Sequence, residues 1–113
     1  MLRDHLAYLG FVVLEASNGP QAIYAALKSR YLIHLLLTDI EMPGMNGFEL
    51  ASQIKMLKPR IKTIFMSSGL TECQWKEQAA VRDGTYFLQK PFSLKELEAL
   101  IAKVLTEPLF QTR

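Results

Sequence analysis

A chain of 113 residues has room for one compact domain with one core and not for two ordinary ones. Half of its residues are hydrophobic and 21% are charged, which excludes a disordered chain, and a net charge of +2 without a dense Lys/Arg run argues against direct nucleic-acid binding. Cys73 is the single cysteine, which excludes an internal disulfide or a thiolate-built metal cluster, and no apolar stretch approaches the roughly 20 residues of a membrane span or forms a signal-peptide core, so the expectation is a soluble, cytoplasmic protein.

Leu2, Leu6 and Leu9 fall at helical spacing, and Gly10 follows where a helix end tolerates positive φ, so the chain opens in a helix. Residues 11–16 (Phe-Val-Val-Leu-Glu-Ala) are a β-rich apolar run that predicts a strand, and Ser17, Asn18, Gly19 and Pro20 turn it into the next helix. That helix covers about residues 20–29, with Ile23, Ala26 and Leu27 on one face. Residues 33–38 read as a fully buried parallel strand with Asp39 at its C-terminal end. A loop punctuated by Pro43, Gly44 and Gly47 leads into a helical stripe of Leu50, Ile54 and Leu57, which Pro59 closes. Residues 63–66 give another strand, ended by Ser67, Ser68 and Gly69, and Thr71 with Gln74 marks a capping box for a helix reaching about Val81. Asp83 and Gly84 turn the chain into a short strand at residues 86–88, which Lys90 and Pro91 end. Ser93 and Glu96 then cap a helix with Leu94, Leu97, Ile101 and Val104 on one face, and Pro108 stops it.

This alternation, without linkers or low-complexity segments, predicts an α/β fold around a doubly wound, mostly parallel sheet of four strands with five helices. Reactive groups gather beyond the C-terminal strand ends of such sheets, which brings Asp39, Ser67 and Lys90 to one edge. An acid, a hydroxyl and a lysine there could hold a phosphoryl group. Taken singly, a strand-end aspartate also caps a turn, a serine also satisfies a loop amide, and a lysine is also a plain solvated charge. Their joint placement carries the functional expectation.

The segment Leu35-Leu36-Leu37-Thr38-Asp39-Ile40-Glu41-Met42-Pro43-Gly44-Met45-Asn46-Gly47-Phe48-Glu49-Leu50 resembles the phosphorylation segment of response-regulator receiver domains, such as that of the chemotaxis response regulator. Asn18-Gly19 with Ala22, Phe65-Met66-Ser67, and Phe87-Leu88-Gln89-Lys90-Pro91-Phe92 are similar to that family at matching places, so the resemblance covers residues 1–106 and leaves 107–113 as a tail or linker. It implies a flavodoxin-like receiver fold and a place in a two-component phosphorelay. Asp39 would be the nucleophile that takes a phosphoryl group from a sensor histidine kinase or phosphotransfer protein and becomes an aspartyl phosphate. Ser67, with Ser68 as an adjacent fallback, matches the hydroxyl that bonds the phosphoryl oxygen, and Lys90 matches the lysine that pairs with another. Phe87 stands where the family keeps an aromatic switch, beside its plain reading as a core residue, and the bond before Pro91 is expected to be cis. Magnesium is the implied cofactor, with Asp39 and the backbone carbonyl of Glu41 among its ligands. The implied output is a changed interaction surface and not turnover of a substrate, so the chain is not expected to be an enzyme.

The family pattern starts with an apolar strand and an acidic pair ahead of the helix entered at Met1. The magnesium site is therefore expected to be incomplete here, because Asp4 lies in the opening helix and Glu15 near the strand predicted after it, neither with an obvious path to Asp39. The family's sheet order of two, one, three, four, five also leaves two apolar strand edges without the first strand. Residues 11–16 could close against residues 33–38, or a homodimer could form through the exposed edges. A receiver-shaped interaction module without effective phosphotransfer is the alternative function. A small phosphatase-like hydrolase is a third, but such sites favour a second Asp two residues after the first, where this chain has Glu41.

Overall fold

The computed structural model describes residues 2–79 and 84–107. Three apolar runs pair as parallel strands in the order β1 (Leu35–Asp39), β2 (Lys62–Ser67), β3 (Thr85–Gln89). Every residue of the central strand β2 is buried, as a strand flanked on both sides and covered on both faces must be. The register runs from Leu35↔Lys62 to Asp39↔Met66 and from Thr63↔Thr85 to Ser67↔Gln89, so the three C-terminal strand ends lie side by side.

Among the described residues five helices form two outer layers. α1 (Leu2–Tyr8) and α5 (Leu94–Thr106) cover one face, where Leu2, Leu6, Leu97, Ile101 and Val104 meet Leu35, Leu37, Ile64 and Met66. α2 (Gly19–Lys28), α3 (Gly47–Leu57) and α4 (Glu72–Ala79) cover the other. There Ala26, Leu50 and Ile54 pack with Leu36 and Ile61, and Trp75 packs with Ile40 and Phe65. The alternation of side chains across the pleat sends Leu36 and Phe65 to one layer and Leu37, Ile64 and Met66 to the other.

Local chemistry sets the helix ends. Gly10 has φ of 102°, and its N–H donates to Ala7 O while that of Phe11 donates to Leu6 O, the paired bonds of a Schellman stop on α1. Asn18 caps α2, Thr71 and Gln74 bond reciprocally before α4, and complete capping boxes open α3 (Asn46 and Glu49) and α5 (Ser93 and Glu96). Val81 and Asp83, at the predicted end of α4 and the turn after it, lie outside the described residues.

The sheet corrects the predicted strand count: among the described residues there are three strands, and residues 11–16 form none. That run has strand composition, but a strand exists only where a neighbour supplies a hydrogen-bond ladder at about 4.8 Å. Among the described residues no backbone hydrogen bond ties Val12 to Ala16, and Phe11, Val12 and Leu14 are exposed. The expected closure of this run against β1 is not what forms. The expected helix faces also differ in detail. Leu9, which falls just past α1, and Leu27, Leu57 and Leu94 are exposed, and the inward face of α2 is Ala22, Ile23 and Ala26, a turn-wise neighbour set against α3.

Candidate functional site

Asp39 ends β1, Ser67 ends β2, and Lys90 follows β3, so the parallel register brings the three to one edge. Backbone bonds lock this edge: Ile40 N–H donates to Met66 O (2.9 Å) and Lys90 N–H to Ser67 O (2.8 Å). The Lys90–Pro91 peptide bond is cis. Lys90 Nζ lies 2.5 Å from Asp39 Oδ1, and the two side chains are 40% and 39% exposed, so the pair sits in a mouth open to solvent. Asp39 Oδ2 accepts no hydrogen bond among the described residues.

Ser67 is fully buried. Its Oγ accepts from the N–H groups of Gly69 (3.0 Å) and Leu70 (2.9 Å) and donates to Glu41 Oε2 at 2.6 Å. Ser68 is exposed and makes no hydrogen bond among the described residues. The sequence marks Glu41 by its backbone carbonyl and as the residue where a hydrolase would favour a second Asp, and neither reading foresees that its carboxylate reaches across to the end of β2. No periodicity marks such a contact, and the one available signal is an acid in the loop after Asp39 facing a Ser-Ser-Gly strand end.

Phe87 is half-buried on β3 and stacks on Trp75, with ring centroids 5.5 Å apart at 24°. Trp75 touches Phe65 of β2 in turn, and Phe65 touches Phe48, so an aromatic chain runs from β3 through α4 and β2 to the first turn of α3. An open cleft of about 520 Å³ lies there, lined by Ile40, Glu41, Met42, Pro43, Phe48 and Leu70 among others. Asp4 and Glu15 take no part: both lie beside Arg3, at 3.7 Å. Among the described residues no group of three His, Cys, Asp or Glu could hold a metal ion, and no helix is long and apolar enough to cross a membrane.

The chain is 30% identical over 107 residues to the autoinducer 1 sensor kinase/phosphatase LuxN of Vibrio campbellii, a match over 95% of this chain that spans only 12% of the relative. Among solved structures it resembles the chemotaxis protein CheY4 of Vibrio cholerae, with a TM-score of 0.78 and 26% identity over 92% of this chain and 86% of the other. It also has the fold of the receiver domain of a Pseudomonas aeruginosa sensor histidine kinase, seen with a magnesium ion in its active-site cleft, at a TM-score of 0.75 and 22% identity over 94% and 86% of the two chains. The family model of the response regulator receiver domain matches residues 1–102, and with the parallel sheet and the acid, hydroxyl and lysine at its edge this chain belongs to that family of two-component signalling domains.

Proposed function

We propose that Asp39 is a phosphoacceptor in the cytoplasm, charged by the phosphohistidine of a sensor histidine kinase or phosphotransfer protein. The observation that carries this reading is the 2.5 Å pair between Lys90 and Asp39 Oδ1, in side chains about two-fifths exposed at the C-terminal edge of the sheet. Oδ2 attacks phosphorus, the P–N bond breaks with its electron pair going to the imidazole nitrogen, and that nitrogen takes up a proton. The ammonium of Lys90 then pairs with a phosphoryl oxygen, and Ser67 supplies a hydroxyl donor to another. Phe87, stacked on Trp75, is positioned to relay the change toward α4 and the surface around it. The output is an altered interaction surface and not turnover of a small substrate.

The donors suit magnesium in kind: the Asp39 carboxylate and the Glu41 backbone carbonyl are hard oxygen ligands, and the ion when bound would neutralise phosphoryl oxygen charge. With no third acid gathered among the described residues, binding at this site is expected to be weak and labelling slow. Treating the chain with acetyl phosphate and magnesium, then reading phosphate-affinity electrophoresis and intact mass, should give a single phosphate that Asp39→Asn abolishes. Label that persists in Asp39→Asn would remove Asp39 from this role.

A second reading is a receiver-shaped interaction module without effective phosphotransfer. The bond that commits the Ser67 hydroxyl to Glu41 favours it. Complete absence of label in a folded chain would establish it.

A further inference from the structure

A serine hydroxyl has one proton to give and two lone pairs to receive. At Ser67 all three are in use: Gly69 and Leu70 N–H fill the acceptor positions, and the proton is given to Glu41 Oε2 at 2.6 Å. The residue is fully buried, so solvent cannot substitute for any of these partners. A phosphoryl oxygen arriving on Asp39 therefore finds no free hydroxyl. It must replace a carboxylate that already accepts the Ser67 proton in a short, charge-assisted bond.

We infer that Glu41 is a positioning residue that reserves the Ser67 hydroxyl, an internal anionic competitor that has to be displaced before Ser67 can serve a phosphate on Asp39. The inference rests on the proposed role of Asp39 and adds a control upon it. Two further features of the site fit this arrangement. A Cβ on Gly69 would lie 3.3 Å from Glu41 Oε2, tighter than ordinary contact, so a glycine at this position keeps the berth for the carboxylate open. Glu41 also lines the open cleft of about 520 Å³ beside the site, which gives the displaced side chain somewhere to go. Displacement is driven by charge. Lys90 neutralises Asp39, whereas Glu41 has no cationic partner among the described residues and is repelled by a phosphate dianion that also claims its donor. The exposed loop bearing Glu41 would thus change when Asp39 is charged, on the opposite side of the site from Phe87.

The test compares the rate of labelling by acetyl phosphate with magnesium in the native chain, Glu41→Ala, Glu41→Gln, Ser67→Ala and the double variant Glu41→Ala/Ser67→Ala. Freeing the hydroxyl should speed Glu41→Ala about tenfold, the scale of one charge-assisted hydrogen bond. Glu41→Gln keeps a neutral acceptor and should fall between, and the gain should vanish when Ser67 is absent. The backbone amide NMR signals of Gly69 and Leu70, whose N–H groups donate to Ser67 Oγ, should shift in Glu41→Ala and return toward native in Glu41→Gln. A Glu41→Ala chain that labels no faster, or gains equally without Ser67, overturns the inference. Failure is separable from that of the parent reading: labelling indifferent to Glu41 sinks only this inference, whereas no label in any of the chains sinks the phosphoacceptor role and this control with it.

Discussion

At the scale of single residues, the position of the Asp39 backbone depends on an absent side chain. A Cβ on Gly47 would lie 2.2 Å from Asp39 O and 2.9 Å from Ile40 Cα, while the Gly47 N–H donates to Ile40 O at 2.8 Å. Only glycine lets the start of α3 come this close to the end of β1. Gly47→Ala should therefore cost about 1–3 kcal/mol, the usual scale of overpacking, and lower the urea midpoint. Lys90 should separate stability from reactivity. Its pair with Asp39 is about two-fifths exposed, so Lys90→Ala should alter stability by no more than about 1 kcal/mol in the same titration. If Lys90 answers the phosphoryl charge, labelling by acetyl phosphate should fall on the order of a hundredfold. Equal losses in both measurements would make Lys90 a structural residue.

At the scale of elements, the sheet holds α5 from the edge opposite the site. Lys62, the first residue of β2, is buried, and its Nζ donates to Val104 O at 2.6 Å and to Glu107 O, while Tyr86 OH donates to Glu107 Oε1 at 2.7 Å. A cation on the last carbonyls of a helix satisfies groups that have no intrahelical partner and suits the negative end of the dipole. Lys62→Met keeps the apolar stem and loses the donor, and should cost about 1–3 kcal/mol of stability, read as a fall in Tm. Much of this layer was legible in the sequence. A strand buried on both faces reads as a continuous apolar run, which is how residues 63–66 gave themselves away, and the Ser93 and Glu96 pair announced α5; the run at 33–38, expected to be fully buried, starts its strand only at Leu35 and is half-buried there except at Thr38. Other features depend on partners that no local pattern names. The composition of residues 11–16 carries β propensity but not the ladder it needs, periodicity does not say that Leu27 and Leu57 stay exposed while Ala22, Ile23 and Ala26 pack inward, and the Glu41 carboxylate finds Ser67 through the tertiary fold alone.

At the scale of the whole molecule, the chain is as compact as its length allows while one side of its sheet stays open. The Cα radius of gyration is 13.4 Å, close to the roughly 13 Å of a folded domain this size. Yet β1 pairs only with β2, so among the described residues its other edge offers a row of backbone groups without a ladder partner. Phe11, Val12 and Leu14 stand exposed at 39%, 67% and 46%, and they belong to a β-rich run that likewise forms no ladder. An open edge together with a β-rich apolar segment is a template for pairing with a second copy. The expected outcome is concentration-dependent self-association, visible as a rise in mean mass by light scattering across a dilution series. Charged side chains on such a segment oppose edge-to-edge pairing, so Val12→Lys combined with Leu14→Lys should shift the distribution back toward monomer without loss of the Asp39–Lys90 pair. A native chain that stays monomeric at every concentration would mean that the open edge of β1 is covered within a single molecule, and the two lysine substitutions would then leave the mass unchanged.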